Sequence, residues 1–182
     1  MSSPVTHGFL GMAFAHVLAP GKRLLFSLFC VACSVFPDVD KVVSKLFGTG
    51  WPGSGAFENR GFTHSILFAV LVAAPAAYIA VITRKFPRPW WILGLSLLAV
   101  SMSHGVLDAF THGSVGVAFF EPFSAKRYLA PVTPLPTISY GEFFTPVGWK
   151  AFLSEVLWVW VPVLCALILF DFLRRRRALS IM

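Results

Sequence analysis

The sequence predicts an all-α, polytopic integral membrane protein with about five transmembrane helices and a long extracytoplasmic loop between helices 4 and 5. Three observations carry this. Of 182 residues, 57% are hydrophobic and 13% charged, where soluble domains carry about 25% charged residues; mean hydropathy is +0.75. The apolar residues gather into five segments, 8–19, 24–36, 65–82, 90–110 and 155–173. Basic residues recur at one set of segment ends, the pattern of membrane topology. The length suits one membrane-embedded domain, residues 1–182.

The first two segments are short. At 1.5 Å per residue each reaches only about 20 Å of a ~30 Å hydrocarbon core, so they are expected to pair as a helical hairpin around Pro20-Gly21-Lys22-Arg23. Segments 65–82, 90–110 and 155–173 are long enough to span. Trp90 and Trp91 anchor the fourth at an interface, and Trp158 and Trp160 the fifth. Residues 41–62, with Gly48, Gly50, Pro52, Gly53 and Gly55, read as a flexible loop. Residues 111–154 carry five prolines and many aromatics and are expected to lie on the membrane surface. The first seven residues have no basic region or small-residue cleavage site, so no cleaved signal peptide is expected. Three cysteines make no disulfide framework, and Cys30 and Cys33 lie in an apolar run as packing residues.

The net charge of +7 does not point to nucleic acid, because the bases flank apolar segments. Lys22-Arg23, Arg84-Lys85 with Arg88, and Arg174–Arg177 all fall at the same helix ends, which makes those ends cytoplasmic. The expectation is a multi-pass protein of the inner (cytoplasmic) membrane, N-terminus outside and C-terminus in the cytoplasm.

Four polar words interrupt the apolar chain at the opposite ends: Thr6-His7, Pro37-Asp38-Val39-Asp40, Arg60-Gly61-Phe62-Thr63-His64-Ser65 and Ser103-His104-Gly105-Val106-Leu107-Asp108. They hold three of five histidines and three of eight acidic residues. An ionisable side chain at the bilayer centre costs roughly 2.5–3.5 kcal/mol or more, so such groups need a partner. A divalent cation, Zn²⁺ or Mn²⁺, suits imidazoles and carboxylates together. The expected metal ligands are His7, Asp38, Asp40, His64, His104 and Asp108, on the extracytoplasmic side.

The spacings support convergence. In extended backbone Asp38 and Asp40 point the same way, and two adjacent carboxylates repel unless a cation or proton lies between them. His104 and Asp108 sit one helical turn apart on one face; His112 continues that face only if the helix persists. Thr63 or Ser65 can cap the third helix, leaving exposed N–H groups which, with Arg60, make an anion site suited to phosphate or carboxylate. Arg60, Thr63 and Ser65 are the residues expected to act on that anion. Glu58, Glu121 and Glu142 are candidate general bases or late ligands, but such residues in loops are more often solvated surface charges.

Taken in order, these words resemble the YdjM-like family of inner-membrane proteins, described as metal-dependent hydrolases. The likeness rests on Thr6-His7, Pro37-Asp38-Val39-Asp40, Arg60-Gly61-Phe62-Thr63-His64-Ser65, the stretch from Ser103 to Thr111, and Phe120-Glu121-Pro122-Phe123-Ser124. Asn59 stands where a histidine is common, and Glu121 where tryptophan is frequent. The order of ligand types is also similar to zinc-dependent phospholipases C. The resemblance implies a polytopic membrane hydrolase, with His7, Asp38, Asp40, His64, His104 and Asp108 matching the family's polar positions. The leading reading is hydrolysis of a phosphorylated or ester-linked lipid, with Lys126 and Arg127 of the loop near headgroups as further substrate-binding residues. A metal-ion transporter or metal-binding membrane protein without turnover is the alternative, and a membrane scaffold using the aromatic loop is a third.

Overall fold

The computed structural model describes residues 3–19, 24–40, 60–82, 89–137 and 140–179. Helix α1 (Pro4–Leu18) starts ahead of the predicted 8–19. Ser3 supplies the start signal: its extended backbone precedes Pro4, and its Oγ accepts from the Thr6 N–H at 3.3 Å. His7 therefore lies inside the helix and not ahead of it. Helix α2 (Leu24–Val35) runs into a 3₁₀ turn, Phe36–Asp38, with Pro37 at its start. The two helices pack as the predicted hairpin. A Cβ on Gly11 would stand 2.7 Å from the Cys30 carbonyl oxygen, so only glycine admits this approach.

A second 3₁₀ turn, Phe62–His64, leads into α3 (Ile66–Ile82), with Ser65 Oγ accepting from the Phe68 N–H at 3.1 Å as the cap. Helix α4 (Trp90–Ala109) packs against α3. Ala73, Ala76 and Ala77 of α3 meet Leu93, Leu97 and Val100 of α4 in a core completed by Ala15, Phe26, Cys30 and Cys33. Small side chains on one helix let the other come close. Cys30 and Cys33 are buried and free, in keeping with their reading as packing residues.

The outer loop is more ordered than its prolines suggested. Strand β1 (Thr111–His112) pairs in parallel with β2 (Leu135–Pro136), and Val117 bridges Tyr128. The loop also ends earlier than expected. Helix α5 (Pro146–Glu155), capped by Thr145 Oγ1, continues through a π-helical turn (Val156–Trp160) into α6 (Val161–Leu179). The predicted fifth segment, 155–173, is thus the middle of one 34-residue helix. Thr145-Pro146 is the helix start, but Gly148, Lys150 and Ser154 interrupt the apolar residues that follow it, so the apolar run gives no signal there. No residue of α6 is buried, and Leu164, Ile168, Leu169 and Phe172 are exposed, a surface suited to hydrocarbon rather than water.

The protein is mostly helical. Of the five expected spans, Trp90–Ala109 and Pro146–Leu179 are long and apolar enough to cross a membrane; Leu24–Asp38 and Ile66–Ile79 are apolar but shorter. The basic clusters at 22–23 and 84–88, the glycine-rich stretch 41–59, Glu58 and Asn59 lie outside the described residues.

Candidate metal centre

All four polar words converge. The first turn of α1 delivers His7, the 3₁₀ turn after α2 delivers Asp38, the turn before α3 delivers Arg60 and His64, and the last turns of α4 deliver His104 and Asp108. All six side chains are buried. The approach of the His64 turn to α4 depends on Gly105, where a Cβ would stand 2.9 Å from the His64 carbonyl oxygen. The outer loop pins the same turn from the other side: Ala118 N–H donates to the Arg60 carbonyl at 3.1 Å, and Ile66 N–H to the Phe119 carbonyl at 2.9 Å.

The distances among the ligand atoms are short. His104 Nε2 lies 3.1 Å from His64 Nε2 and 3.1 Å from Asp38 Oδ1. His64 Nε2 lies 3.5 Å from Asp108 Oδ2 and 3.9 Å from Asp38 Oδ1, and His7 Nε2 lies 3.7 Å from Asp108 Oδ1. Nitrogen and oxygen ligands of one tetrahedral zinc, about 2.0–2.2 Å from the ion, stand about 3.3–3.6 Å from one another. Three of these residues at a time have the spacing of ligands to one ion. In two overlapping groups, His7–Asp38–His104 and His64–His104–Asp108, one ligand atom per residue lies within 4.8 Å of the others. His104 belongs to both but has only one nitrogen to give, because its Nδ1 faces the Ser34 carbonyl at 2.7 Å.

Those outer partners decide the tautomers. A carbonyl can only accept, so His104 carries its proton on Nδ1 and leaves the Nε2 lone pair inward. Thr63 Oγ1 donates to Asp40 Oδ2 at 3.2 Å, which leaves it to accept from His64 Nδ1–H at 2.9 Å. The second imidazole thus also turns a lone pair inward. Asp40, expected as a ligand, sits behind His64, 3.8 Å from Nδ1, and Thr63, expected to act on the anion, orients His64. Burial holds the His64 imidazole below its usual range, and hydrogen bonding with Asp108 only partly offsets this. The His7 ring stacks on the His104 ring with centroids 3.6 Å apart.

Arg60 adopts φ +64°, the left-handed region that a non-glycine residue rarely enters. Its Nε lies 3.1 Å from Asp108 Oδ2. Its Nη1 and Nη2, although buried, hydrogen-bond to none of the described residues. A buried fork of donors without acceptors is costly unless an anion meets it.

Other candidates fall elsewhere. Ser65 caps α3. Lys126 is exposed, with Nζ 5.4 Å from the Tyr128 ring centroid, and Arg127 reaches the Gly116 carbonyl at 3.4 Å. Both stay on the outer loop. His112 is exposed in β1, because α4 ends at Ala109. Glu142 is exposed as expected, but Glu121 is buried, contrary to its reading as a solvated charge. Sequence reasoning missed Ser34, whose Oγ also donates to the His7 carbonyl at 2.7 Å, and a buried cluster of Ser3, Thr6, Glu155 and Trp160. Glu155 alone left a signal, as an acid bordering a long apolar run.

A model of the family described as YdjM inner membrane protein matches residues 1–178. The chain is also similar to inner membrane protein YbcI of Escherichia coli (strain K12), at 34% identity over 172 residues, covering 89% of this chain and 92% of that protein. No solved structure matches this chain.

Proposed function

This chain belongs to the YdjM family of inner membrane proteins, and from that premise we propose that it is a metal-dependent hydrolase of a phosphorylated or ester-linked lipid, acting at the extracytoplasmic face. The observation that carries the reading is the pair of imidazole lone pairs, His64 Nε2 and His104 Nε2, turned toward each other beside the Asp38 and Asp108 carboxylates. Two lone pairs so close repel unless a cation or proton separates them.

His64, His104 and Asp108 would hold the ion, with Asp38 and His7 at its edge. The nitrogen and oxygen donor set suits Zn²⁺, and Mn²⁺ less well. A bound divalent ion would supply Lewis acidity and acidify water to a pKa of about 7. Arg60 binds the anionic group of the substrate through Nη1 and Nη2 and faces the charge that develops there during hydrolysis. Its left-handed backbone, held by Asp40 Oδ2 on its N–H at 3.4 Å and by Ala118 on its carbonyl, keeps the guanidinium beside Asp108. Asp40 and Thr63 keep the His64 proton on Nδ1. The enclosing loop keeps bulk water away, which strengthens each of these interactions.

The test is hydrolysis of phospholipid in liposomes containing the purified protein, with and without chelator. Turnover abolished by chelator and restored by Zn²⁺ supports the reading. Turnover that chelator does not touch ends it. Zn²⁺ flux without hydrolysis would favour a transporter.

A further inference from the structure

A second buried polar cluster lies at the outer end of α1, one residue from the metal centre. Glu155, the last residue of α5, is fully buried. Its Oε1 accepts from the Ser3 backbone N–H at 2.6 Å, and its Oε2 accepts from Ser3 Oγ and, at 2.5 Å, from Thr6 Oγ1. Thr6 Oγ1 in turn accepts from Trp160 Nε1 at 2.9 Å. A carboxylate at the start of a helix also meets the positive end of its dipole.

The local backbone explains how one helix grips Thr6 twice. Glu155 directly precedes the π-helical turn Val156–Trp160, and Trp160, five residues on, ends it. A π turn bonds i to i+5 and stacks those positions, whereas an α-helix carries i+5 well round its circumference. The turn therefore presents carboxylate and indole N–H to the same hydroxyl.

Thr6 is followed directly by His7. From the other side Ser34 Oγ holds the His7 carbonyl at 2.7 Å, and the ring lies against His104 and 3.7 Å from Asp108 Oδ1. We propose that Glu155 is a positioning residue of the metal centre: through Ser3 and Thr6 it holds the first turn of α1 so that His7 faces Asp108. The inference rests on the metal-centre reading. It makes the C-terminal helix, whose α6 has no buried residue, part of the site.

The experiment uses the full chain in detergent micelles. Zn²⁺ affinity is measured by competition with a chromophoric chelator, the Co²⁺ ligand-field spectrum reports coordination, and thermal unfolding of the metal-free protein reports the fold. Glu155→Gln places an amide N–H₂ among donors, and Thr6→Val removes the hydroxyl at similar volume. Each is expected to weaken Zn²⁺ by about 10–100-fold, the effect of losing an outer-shell partner, and to alter the Co²⁺ spectrum while unfolding stays cooperative. Thr6→Ser, which keeps the hydroxyl, restores both. Wild-type affinity and spectrum in folded Glu155→Gln and Thr6→Val overturn the inference. Loss of cooperative unfolding in both makes the cluster a determinant of the fold and overturns it equally. A wild-type protein that binds no Zn²⁺ sinks the metal-centre reading itself, and this inference with it.

Discussion

His64 Nε2 and His104 Nε2 stand 3.1 Å apart with both rings tied at Nδ1, one to Thr63 Oγ1 and the other to the Ser34 carbonyl. Neither ring can turn its proton inward without loss of an outer hydrogen bond, that of His104 to the Ser34 carbonyl or that of Thr63 to Asp40. On the proposed reading a cation fills the gap between them, and four consequences can be measured.

Metal content should follow the inner ligands. The purified protein is expected to carry a divalent metal by elemental analysis, and Asp108→Ala and His64→Ala to lose it. Their loss should exceed the about 10–100-fold that an outer-shell substitution produces. Equal metal in wild type and Asp108→Ala would remove the basis for the site.

Arg60 should be irreplaceable by lysine. A lysine keeps the charge but lacks the planar fork that meets an anion with two parallel hydrogen bonds. Arg60→Lys is expected to lower kcat by about 10²–10³-fold, as loss of one charge-stabilising donor does elsewhere. Metal content should be retained, because Arg60 gives no ligand. Steady-state lipid hydrolysis with parallel metal analysis checks this; unchanged turnover would take Arg60 out of the chemistry.

Gly105→Ala should separate the two imidazoles. The new methyl would lie 2.9 Å from the His64 carbonyl, so the turn must move away from α4. Overpacking of this kind costs about 1–3 kcal/mol. The expected result is a lower melting temperature together with weaker Zn²⁺ binding. A shift in stability alone would show that the approach matters to the fold and not to the site.

Acid should weaken the metal-free protein in a direction set by His64. Its usual value is 6.5, and burial lowers it in the fold. Below about 6.5 the unfolded chain takes up a proton that the folded ring refuses, so the unfolded state binds more protons and stability falls as pH drops. The loss continues down to the folded value. Thermal melts of the metal-free protein at pH 7.5 and 5.5 should show this decline, and His64→Gln should make it shallower. A pH-independent melt in the wild type would contradict the buried neutral imidazole.

The residues that converge were legible because charge is conspicuous in an apolar chain. His7, Asp38, His64, His104, Asp108 and Arg60 could be picked out singly, and their meeting is what the fold adds. Asp40 and Thr63 were read by residue type as a ligand and an anion contact, yet they stand behind His64, a distinction set by which ring nitrogen each faces. Ser34 and Gly105 carried no signal at all, since serine and glycine are ordinary in such helices. Glu121 read first as a surface charge, and only the fold shows it buried.

Composition and polar spacing alone determined that this is a helical membrane chain with ionisable groups at helix ends, because hydrocarbon penalises each such group wherever it sits. Only the tertiary structure decided which lone pairs face one another, which hydroxyl holds which tautomer, and that Glu155 reaches Ser3 across 152 residues. Those outcomes depend on contacts of a few ångströms between distant segments, and no local pattern encodes them.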